Sequence, residues 1–321
     1  MKILNSIDKI YLDQFSINTK LKEKVDFLIK KEIKSSWFFD SRIKKPESFA
    51  LKIETGRFED PTKLEDFYGC LIVVENTNEI EVAVTKIHKF FTEISRRPKE
   101  KDFTHKNTDS FPFDDLRLYV KLKKEEFLPP EPIDDITFEI QIKTFLQHAW
   151  AITTHDLIYK SDKISWSRER VAFQIKAMLE QAEVSISGVD RLAELPELTK
   201  ENSKFKLLKE IQKIVTDLWP KADLPIDVLR LSQNIYELIY ALRLNSDELF
   251  TILNLETNVG RGVLIRDLSP YNIVVQSIIN QKAATIKDYL KFKKGKFKIF
   301  LPNEIDLNGI DISDSNNLIR I

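Results

Sequence analysis

A carboxylate, an amide and an ammonium group share one face of a predicted strand. Glu139, Gln141 and Lys143 alternate with three apolar residues, and this period of two places all three polar side chains on one side. The strand runs directly into a helix, because Thr144 and Gln147 have the spacing of a capping box. Together the three groups could bind a charged ligand. On the spacing alone, a solvated edge strand is an equally good interpretation.

The helix that follows carries a narrow stripe of larger side chains. His148, Ile152, His155 and Tyr159 fall within this stripe, because seven residues make almost two whole turns. The two histidines are separated by about 10 Å along the helix axis, which is too far for them to bind the same metal ion.

A second group of residues could bind phosphate. Arg42 and Lys44 lead into a helix that is predicted to begin at Pro46, and Ser48 and Lys52 lie one turn apart on it. Free backbone N–H groups and the helix dipole favour anions at such a helix start. A solvated helix face is the alternative that these residues alone leave open.

The rest of the predicted sheet supplies one further acid and a second polar face. Asp66 comes just before a continuous apolar run, 70–74, which predicts a buried central strand. Residues 116–120 alternate as another strand, with Arg117 and Tyr119 on the face opposite its apolar side chains. Asp66 could reach over the sheet edge toward the polar faces, although an aspartate before a glycine often only caps a turn.

Composition narrows the class of protein. The 321 residues are 42% hydrophobic, with 50 basic and 50 acidic side chains, so the chain can bury a sizeable core but net charge indicates no partner. A single cysteine, Cys70, and the lack of a signal peptide or a long apolar run predict a cytoplasmic protein without a membrane partner. Since the seven glycines form no phosphate-binding loop, any nucleotide must be held by side-chain cations and helix ends.

Over about residues 20–190 the chain resembles the RelA/SpoT-type alarmone synthetase domain. The matching motifs are Arg42-x-Lys44-x-x-x-Ser48-x-x-x-Lys52, Asp66-x-x-Gly69, Glu139-x-Gln141-x-Lys143-Thr144 and Trp150…His155…Tyr159-Lys160. The resemblance implies an α+β fold with a nucleotidyltransferase-like mixed sheet flanked by helices. It also implies an ATP-dependent pyrophosphokinase, which transfers the β,γ-pyrophosphate of ATP to the 3′-hydroxyl of a purine nucleotide.

The resemblance also implies roles for individual residues. Arg42, Lys44, Ser48 and Lys52 would hold the ATP phosphates, while Gln141, Lys143 and His155 would support the site. Asp66 and Glu139 would bind Mg²⁺, or Mn²⁺ in its place, and Glu139 would help to deprotonate the attacking hydroxyl. The chemistry needs such groups, because negative charge develops on the phosphate oxygens in the transition state. With four histidines in the whole chain, no hydrolase activity is expected.

The acceptor side departs from the family pattern. Phe113 stands where the family has a tyrosine that stacks on the acceptor base, Asp114 and Asp115 follow it, Arg117 replaces a histidine, and Leu71 replaces an arginine. Phe113 and Arg117 are therefore the candidate acceptor-binding residues. Because two acids would repel a diphosphate, GDP and GTP are expected to be poor acceptors. Two alternatives stay open: a toxin that pyrophosphorylates the tRNA 3′ end, and a catalytically degenerate nucleotide sensor.

Two domains are predicted, over 1–190 and 191–321. The first should begin with helices over 5–16 and 19–35 and contain another over 78–94. The second should be mainly helical, over about 203–219, 225–243, 246–256 and from 269 to about 288, and end in a β-hairpin at Asn308-Gly309. A stretch with five lysines over 289–300 could contact a tRNA acceptor or form an edge strand. The lysines expected to supply the counter-charge for tRNA are Lys291, Lys293, Lys296 and Lys298. The sequence is compatible with a homo-oligomer.

Overall fold

The structure is a computed structural model of the chain. It describes residues 2–56, 60–99, 115–124, 129, 131–154, 165–262, 267–291, 295, 297–313 and 315–320. Two compact units divide the chain, Met1–Leu195 and Pro196–Ile321. Among the described residues, no helix combines the length and the apolar character needed to cross a membrane.

A five-stranded mixed sheet forms the centre of the first unit. Its strands are β1 (Phe38–Ile43), β2 (Tyr68–Val74), β3 (Phe91–Arg97), β4 (Leu116–Leu122) and β5 (Phe138–Thr144). They lie in the order β1-β2-β5-β4-β3. Strands β2 and β5 are parallel, and the other neighbouring pairs are antiparallel. The predicted α+β class and the mixed sheet flanked by helices are confirmed.

Helices α1 to α6 belong to the same unit. They span Asn5–Glu32, Pro46–Ile53, Ile80–Ile87, Phe145–Thr154, Trp166–Ser187 and Val189–Ala193. Alternation along the strands separates the two faces of the sheet: Phe138, Ile140 and Ile142 are fully buried in the core with Leu21 and Val25 of α1. The polar side chains of the same strands therefore lie on the opposite face, where the candidate site is found.

Two predicted element boundaries in this unit are wrong. The N-terminal segment is one helix, α1, which runs through the predicted break; Asn18 and Thr19 lie inside it and donate side-chain hydrogen bonds to carbonyls one turn earlier instead of capping a second helix. The helix predicted over 78–94 ends at Ile87, and β3 begins at Phe91. Phe91 pairs with Leu122 of β4, so strand pairing across the sheet determines the structure of a segment whose apolar residues also fit a helix.

The second unit is mainly helical, as predicted. Helices α7 to α11 span Ser203–Leu218, Val228–Ala241, Ser246–Asn258, Pro270–Gln281 and Ala283–Lys291. Side chains of Asn202, Asp227, Asn245 and Ser269 cap the first four of these helices, which is the usual role of such residues before an apolar stripe. The last predicted helix is in fact two, because Lys282 leaves the helical conformation with φ −137° and ψ 41°.

The strand pair at the end of the second unit is not the predicted hairpin. Strands β6 (Ile299–Leu301) and β7 (Leu318–Arg320) run parallel to each other. Asn308 and Gly309 do form a tight turn, with φ 48° and 77°, but the chain before it does not enter a ladder. The backbone N–H and C=O of Asp306 are both hydrogen-bonded to the Gln276 side chain of α10, so they are not available for pairing across a hairpin.

Candidate active site

The polar face of the sheet forms the floor of a cleft of about 790 Å³, a size typical of small-ligand sites. The strand register arranges the side chains in rows across the sheet. The first row is Arg42, Gly69, Glu139 and Tyr119; the second is Asp40, Leu71, Gln141 and Arg117; the third begins with Phe38, Val73 and Lys143. Residues far apart in the sequence are thus brought together by strand pairing.

Gly69 opens the first row. Arg42 and Glu139 lie on the strands on either side of Gly69, and a residue without a side chain leaves the floor between them unfilled. Among the described residues, the Glu139 carbonyl oxygen, at 3.7 Å, is the only atom within 4 Å of an added Cβ, so the backbone itself does not require glycine here. The glycine leaves space between a cation and a carboxylate.

Asp66 is held by two lysines at one end of the cleft. The Lys44 Nζ lies 3.0 Å from its Oδ2, and Lys52 Nζ donates to the same oxygen. Burial alone would raise the pKa of Asp66, but the two ammonium groups outweigh it and hold the pKa below the ordinary value. Asp66 is therefore ionised at neutral pH. Its other oxygen, Oδ1, is buried and accepts no hydrogen bond from the described residues.

The same end of the cleft carries further groups that can bind phosphate. Helix α2 begins at Pro46, as predicted, and Ser48 in its first turn lines the cleft. Lys44 is fixed just before it, because its backbone N–H donates to the Phe67 carbonyl at 2.8 Å. Lys45, which the motif comparison did not single out, also lines the cleft.

Glu139 is oriented by three neighbours. Tyr119 donates its hydroxyl to Oε2 at 3.0 Å, and Gln141 donates to Oε1. The Arg117 Nη1 lies 3.7 Å from Oε2. Burial and the adjacent Glu139 charge raise the pKa of Tyr119 to about 12, so its hydroxyl remains a donor at neutral pH. The Glu139 carboxylate is buried, 8% exposed, and points into the cleft with a fixed orientation.

Asp115 is paired with neighbouring cations, which weakens the expectation that it repels a diphosphate. Its carboxylate accepts from the Arg117 Nε at 3.2 Å, and Lys143 Nζ lies 3.9 Å away. The expected repulsion of a diphosphate by Asp115 is therefore largely cancelled by these cations. The other acid of that loop, Asp114, lies outside the described residues, as does Phe113.

The far end of the cleft is formed by helix α4. The predicted capping box is confirmed: Gln147 N–H donates to Thr144 Oγ1 at 3.1 Å, and Thr144 N–H donates to Gln147 Oε1 at 2.9 Å. This fixes the start of the helix and directs His148 and Ile152 over the cleft. The predicted helix stripe included both, but only their position above the sheet shows that they contribute to the site.

Most of the predicted site residues lie together. Eight of them line the cleft: Arg42, Lys44, Ser48, Asp66, Arg117, Glu139, Gln141 and Lys143. Lys52 joins them through Asp66. Two predicted residues, Phe113 and His155, lie outside the described part of the chain. The motif comparison missed Asp40, Lys45, Tyr119 and His148 as members of the site.

The sequence comparison agrees with this arrangement. Residues 41–164 match the family model described as the region found in RelA / SpoT proteins. This span contains both carboxylates and all the predicted donor cations. No curated protein matches the chain by sequence.

Several solved structures are similar to part of this chain. A GTP pyrophosphokinase family protein from Streptococcus pneumoniae is 18% identical, covering 62% of this chain and 100% of its own, with a TM-score of 0.43. The small alarmone synthetase 1 of Bacillus subtilis, bound to its product pppGpp, is 18% identical over 59% and 98%, with a TM-score of 0.44. The Type VI effector Tas1, in complex with its immunity protein, is 15% identical over 74% and 95%, with a TM-score of 0.30. At these TM-scores the likenesses do not say what this chain binds.

The residues present fit a divalent metal that prefers oxygen ligands. Mg²⁺ is commonly bound by one or two carboxylates, with substrate phosphates and water completing its shell. Asp66 offers a buried oxygen to which no residue in the described part of the chain donates a hydrogen bond, and Glu139 offers a second buried carboxylate in the same cleft. Among the described residues, no group of three or more acidic, histidine or cysteine side chains forms a site that would bind a metal by itself. The donor set therefore suits a metal that arrives with phosphates.

Proposed function

We propose that this chain is an ATP-dependent pyrophosphokinase that transfers the β,γ-pyrophosphate of ATP to the 3′-hydroxyl of a purine nucleotide. The observation that carries the proposal is the cleft itself: within a RelA/SpoT region it gathers two separate carboxylates and a set of cations around an open floor. The cations suit a polyphosphate, and the carboxylates suit a metal and a hydroxyl that must lose its proton.

The donor phosphates are proposed to lie over the start of α2. Arg42, Lys44, Lys45 and Lys52 supply positive charge there, and Ser48 supplies a hydroxyl. During transfer, negative charge develops on the non-bridging oxygens and on the leaving AMP, so fixed cations lower the barrier. Lys44 and Lys52 are already positioned by Asp66, which limits the reorganisation needed when phosphate binds.

Glu139 is proposed as the base that accepts the proton of the attacking hydroxyl. Tyr119 and Gln141 each occupy one of its oxygens, so the carboxylate cannot rotate freely and keeps its remaining lone pairs directed into the cleft. Asp66 and Glu139 would hold Mg²⁺, with Mn²⁺ as a substitute. When bound, the cation would neutralise phosphate charge and draw electron density from the phosphorus that is attacked.

A free purine nucleotide is the proposed acceptor, ahead of a tRNA end. Pairing of Asp115 with Arg117 and Lys143 weakens the charge argument against a diphosphate. Of the lysines expected to contact tRNA, Lys293 and Lys296 lie outside the described residues. The four histidines of the chain are too few for a multi-histidine hydrolase site, so synthesis without hydrolysis is proposed.

The test is a transfer assay with γ-labelled ATP and Mg²⁺. GDP, GTP, ADP, ATP and deacylated tRNA are offered separately, and labelled products and AMP are resolved. Label should move to a nucleotide, with one AMP released for each transfer. Glu139→Gln should abolish transfer, whereas Glu237→Gln, a half-exposed glutamate of α8, should not. Label on tRNA alone would select the toxin alternative. Absence of transfer to every acceptor, with ATP still bound, would leave the sensor alternative.

A further inference from the structure

The two ends of the cleft differ: one holds a cluster of lysines around a carboxylate, and the other, here called the apolar end, has most of the apolar lining, with Asp40 and Lys143 close to it. Lys44, Lys52 and Asp66 lie at the charged end. At the other end, Leu71, His148, Ala151 and Ile152 line the wall. Ile152 remains 60% exposed, so a large apolar side chain is left uncovered at the rim. Apolar surface is thus available at the end of the cleft away from the lysine cluster, as a nucleotide has an apolar base face at the end away from its phosphates.

An aromatic stack lies at the apolar end. The rings of Phe38 and His148 are stacked, with centroids 5.7 Å apart and planes inclined by 25°. His148 lines the cleft, and Phe38 packs against its ring from strand β1. Burial lowers the pKa of His148, and the nearby Lys143 charge lowers it further, against a smaller opposing effect of Asp40. The imidazole is therefore neutral at neutral pH and offers an uncharged flat surface.

Strand β1 connects the two ends. Phe38, Asp40 and Arg42 share the cleft face of this strand, and the four-residue step from Phe38 to Arg42 spans roughly 13 Å. A ligand that extends along β1 can therefore place phosphates near Arg42 and α2 while a ring at its other end reaches His148. Base stacking on aromatic side chains is the usual way in which proteins hold an unpaired base.

We propose that His148, backed by Phe38 and flanked by Leu71 and Ile152, is the stacking platform for the purine base of the donor nucleotide. This inference rests on the proposed function for the assignment of the phosphate end. His148 contacts the base, and Phe38 is a positioning residue that holds the imidazole ring in its orientation by stacking against it. Because stacking uses only the face of the ring, the platform should accept adenine and guanine triphosphates with similar affinity.

Binding measurements separate the base from the phosphates. ATP, GTP and inorganic tripolyphosphate are titrated calorimetrically, with Mg²⁺ and without acceptor, into wild-type protein and into His148→Ala, His148→Phe and Phe38→Ala. His148→Ala should weaken ATP and GTP by roughly 5- to 150-fold, the range expected for one base stacked on an aromatic ring, and tripolyphosphate by less than twofold. Phe38→Ala should weaken the nucleotides less, and His148→Phe should retain most of the affinity. The matched control is His88→Ala, a partly exposed histidine outside the cleft that pairs with Glu93.

The outcomes distinguish this inference from the proposed function. Equal losses for ATP and tripolyphosphate in His148→Ala, or an unchanged ATP affinity, would overturn the stacking platform even if the wild-type protein transfers pyrophosphate. Selective loss of the nucleotides, with rescue by His148→Phe, would support the platform even if no acceptor is ever modified. Wild-type protein that binds ATP no better than tripolyphosphate would also overturn it.

Discussion

Replacing Tyr119 with phenylalanine tests whether catalysis depends on a fixed orientation of Glu139. The Tyr119 hydroxyl donates to Glu139 Oε2 at 3.0 Å, and the side chain is only 5% exposed, so solvent water has little access to replace the lost bond. A hydrogen bond to a charged group contributes about 1.5–3 kcal/mol, so kcat should fall by roughly 10- to 150-fold. The KM for ATP should change little, because the donor cations lie on β1, α2 and the turn between them.

The assay measures kcat and KM separately at saturating Mg²⁺, over about pH 7 to 9. The pKa of Tyr119 is raised to about 12 by burial and by Glu139, so the hydroxyl donates throughout this range. The ratio of the wild-type kcat to the Tyr119→Phe kcat should therefore stay constant. Tyr240→Phe, at a tyrosine of α8 that is 67% exposed, is the matched control. A kcat within twofold of wild type would refute the proposed orientation of Glu139, as would a loss that appears entirely in KM.

Three further predictions concern stability, each measured by urea unfolding of the full chain. The lowered pKa of Asp66 means that its carboxylate stabilises the fold above its ordinary pKa of 3.8 and that this contribution is lost as the pH falls through the lowered value. Asp66→Asn should therefore destabilise the protein at pH 7, by about 1.5–3 kcal/mol, and lessen the loss of stability on acidification; an unchanged acid dependence would contradict this. Thr144→Ala removes half of the capping box of α4 and should cost about 0.5–2 kcal/mol, whereas no change would show that the strand alone fixes the helix start. Ile235→Ala opens a cavity in the fully buried core of the second unit and should cost about 2–5 kcal/mol; a smaller cost would mean that this core collapses around the gap.

Local patterns predicted the elements of the site well. Alternation placed Glu139 and Gln141 on one face of β5, and the capping box located the start of α4, because both signals depend on residues close in the sequence. Pro46 likewise located the start of α2. Each of these features depends on residues that are close in the sequence, and each is present in the structure.

Pairing between distant segments could not be predicted in this way. The sequence alone does not show that Arg42, Gly69 and Glu139 share one row, since that depends on the register of three strands. The motif comparison also predicted nothing about Tyr119 as the donor to Glu139, because the bond arises only when β4 and β5 lie side by side. The motifs identified the candidate site residues, and the pairing of the strands determines how these residues contact one another.

Two of the wrong predictions, the helix over 78–94 and the C-terminal hairpin, share one cause, which is competition for backbone or apolar groups from elsewhere in the fold. Phe91 fits a helical stripe, yet it pairs with Leu122 in the sheet. Asn308-Gly309 forms its turn, yet Gln276 takes the hydrogen bonds that a hairpin would need. A turn signal predicts a change of direction, but whether its flanks pair depends on what other groups reach them.

The cleft solves an electrostatic problem that any polyphosphate site faces. Several cations held close together repel one another and would destabilise the fold, but here the protein's own carboxylates separate them. Asp66 lies between Lys44 and Lys52, and Asp115 lies near both Arg117 and Lys143. Positive charge still exceeds negative charge among these groups, which suits a triphosphate that remains anionic after it binds a divalent cation. The carboxylates therefore have two tasks: they allow the cations to be held in place, and Asp66 also offers the metal an oxygen that accepts no hydrogen bond from any lysine the structure describes. For this reason Asp66→Asn should affect both stability and transfer, whereas a residue needed only as a metal ligand would affect transfer alone.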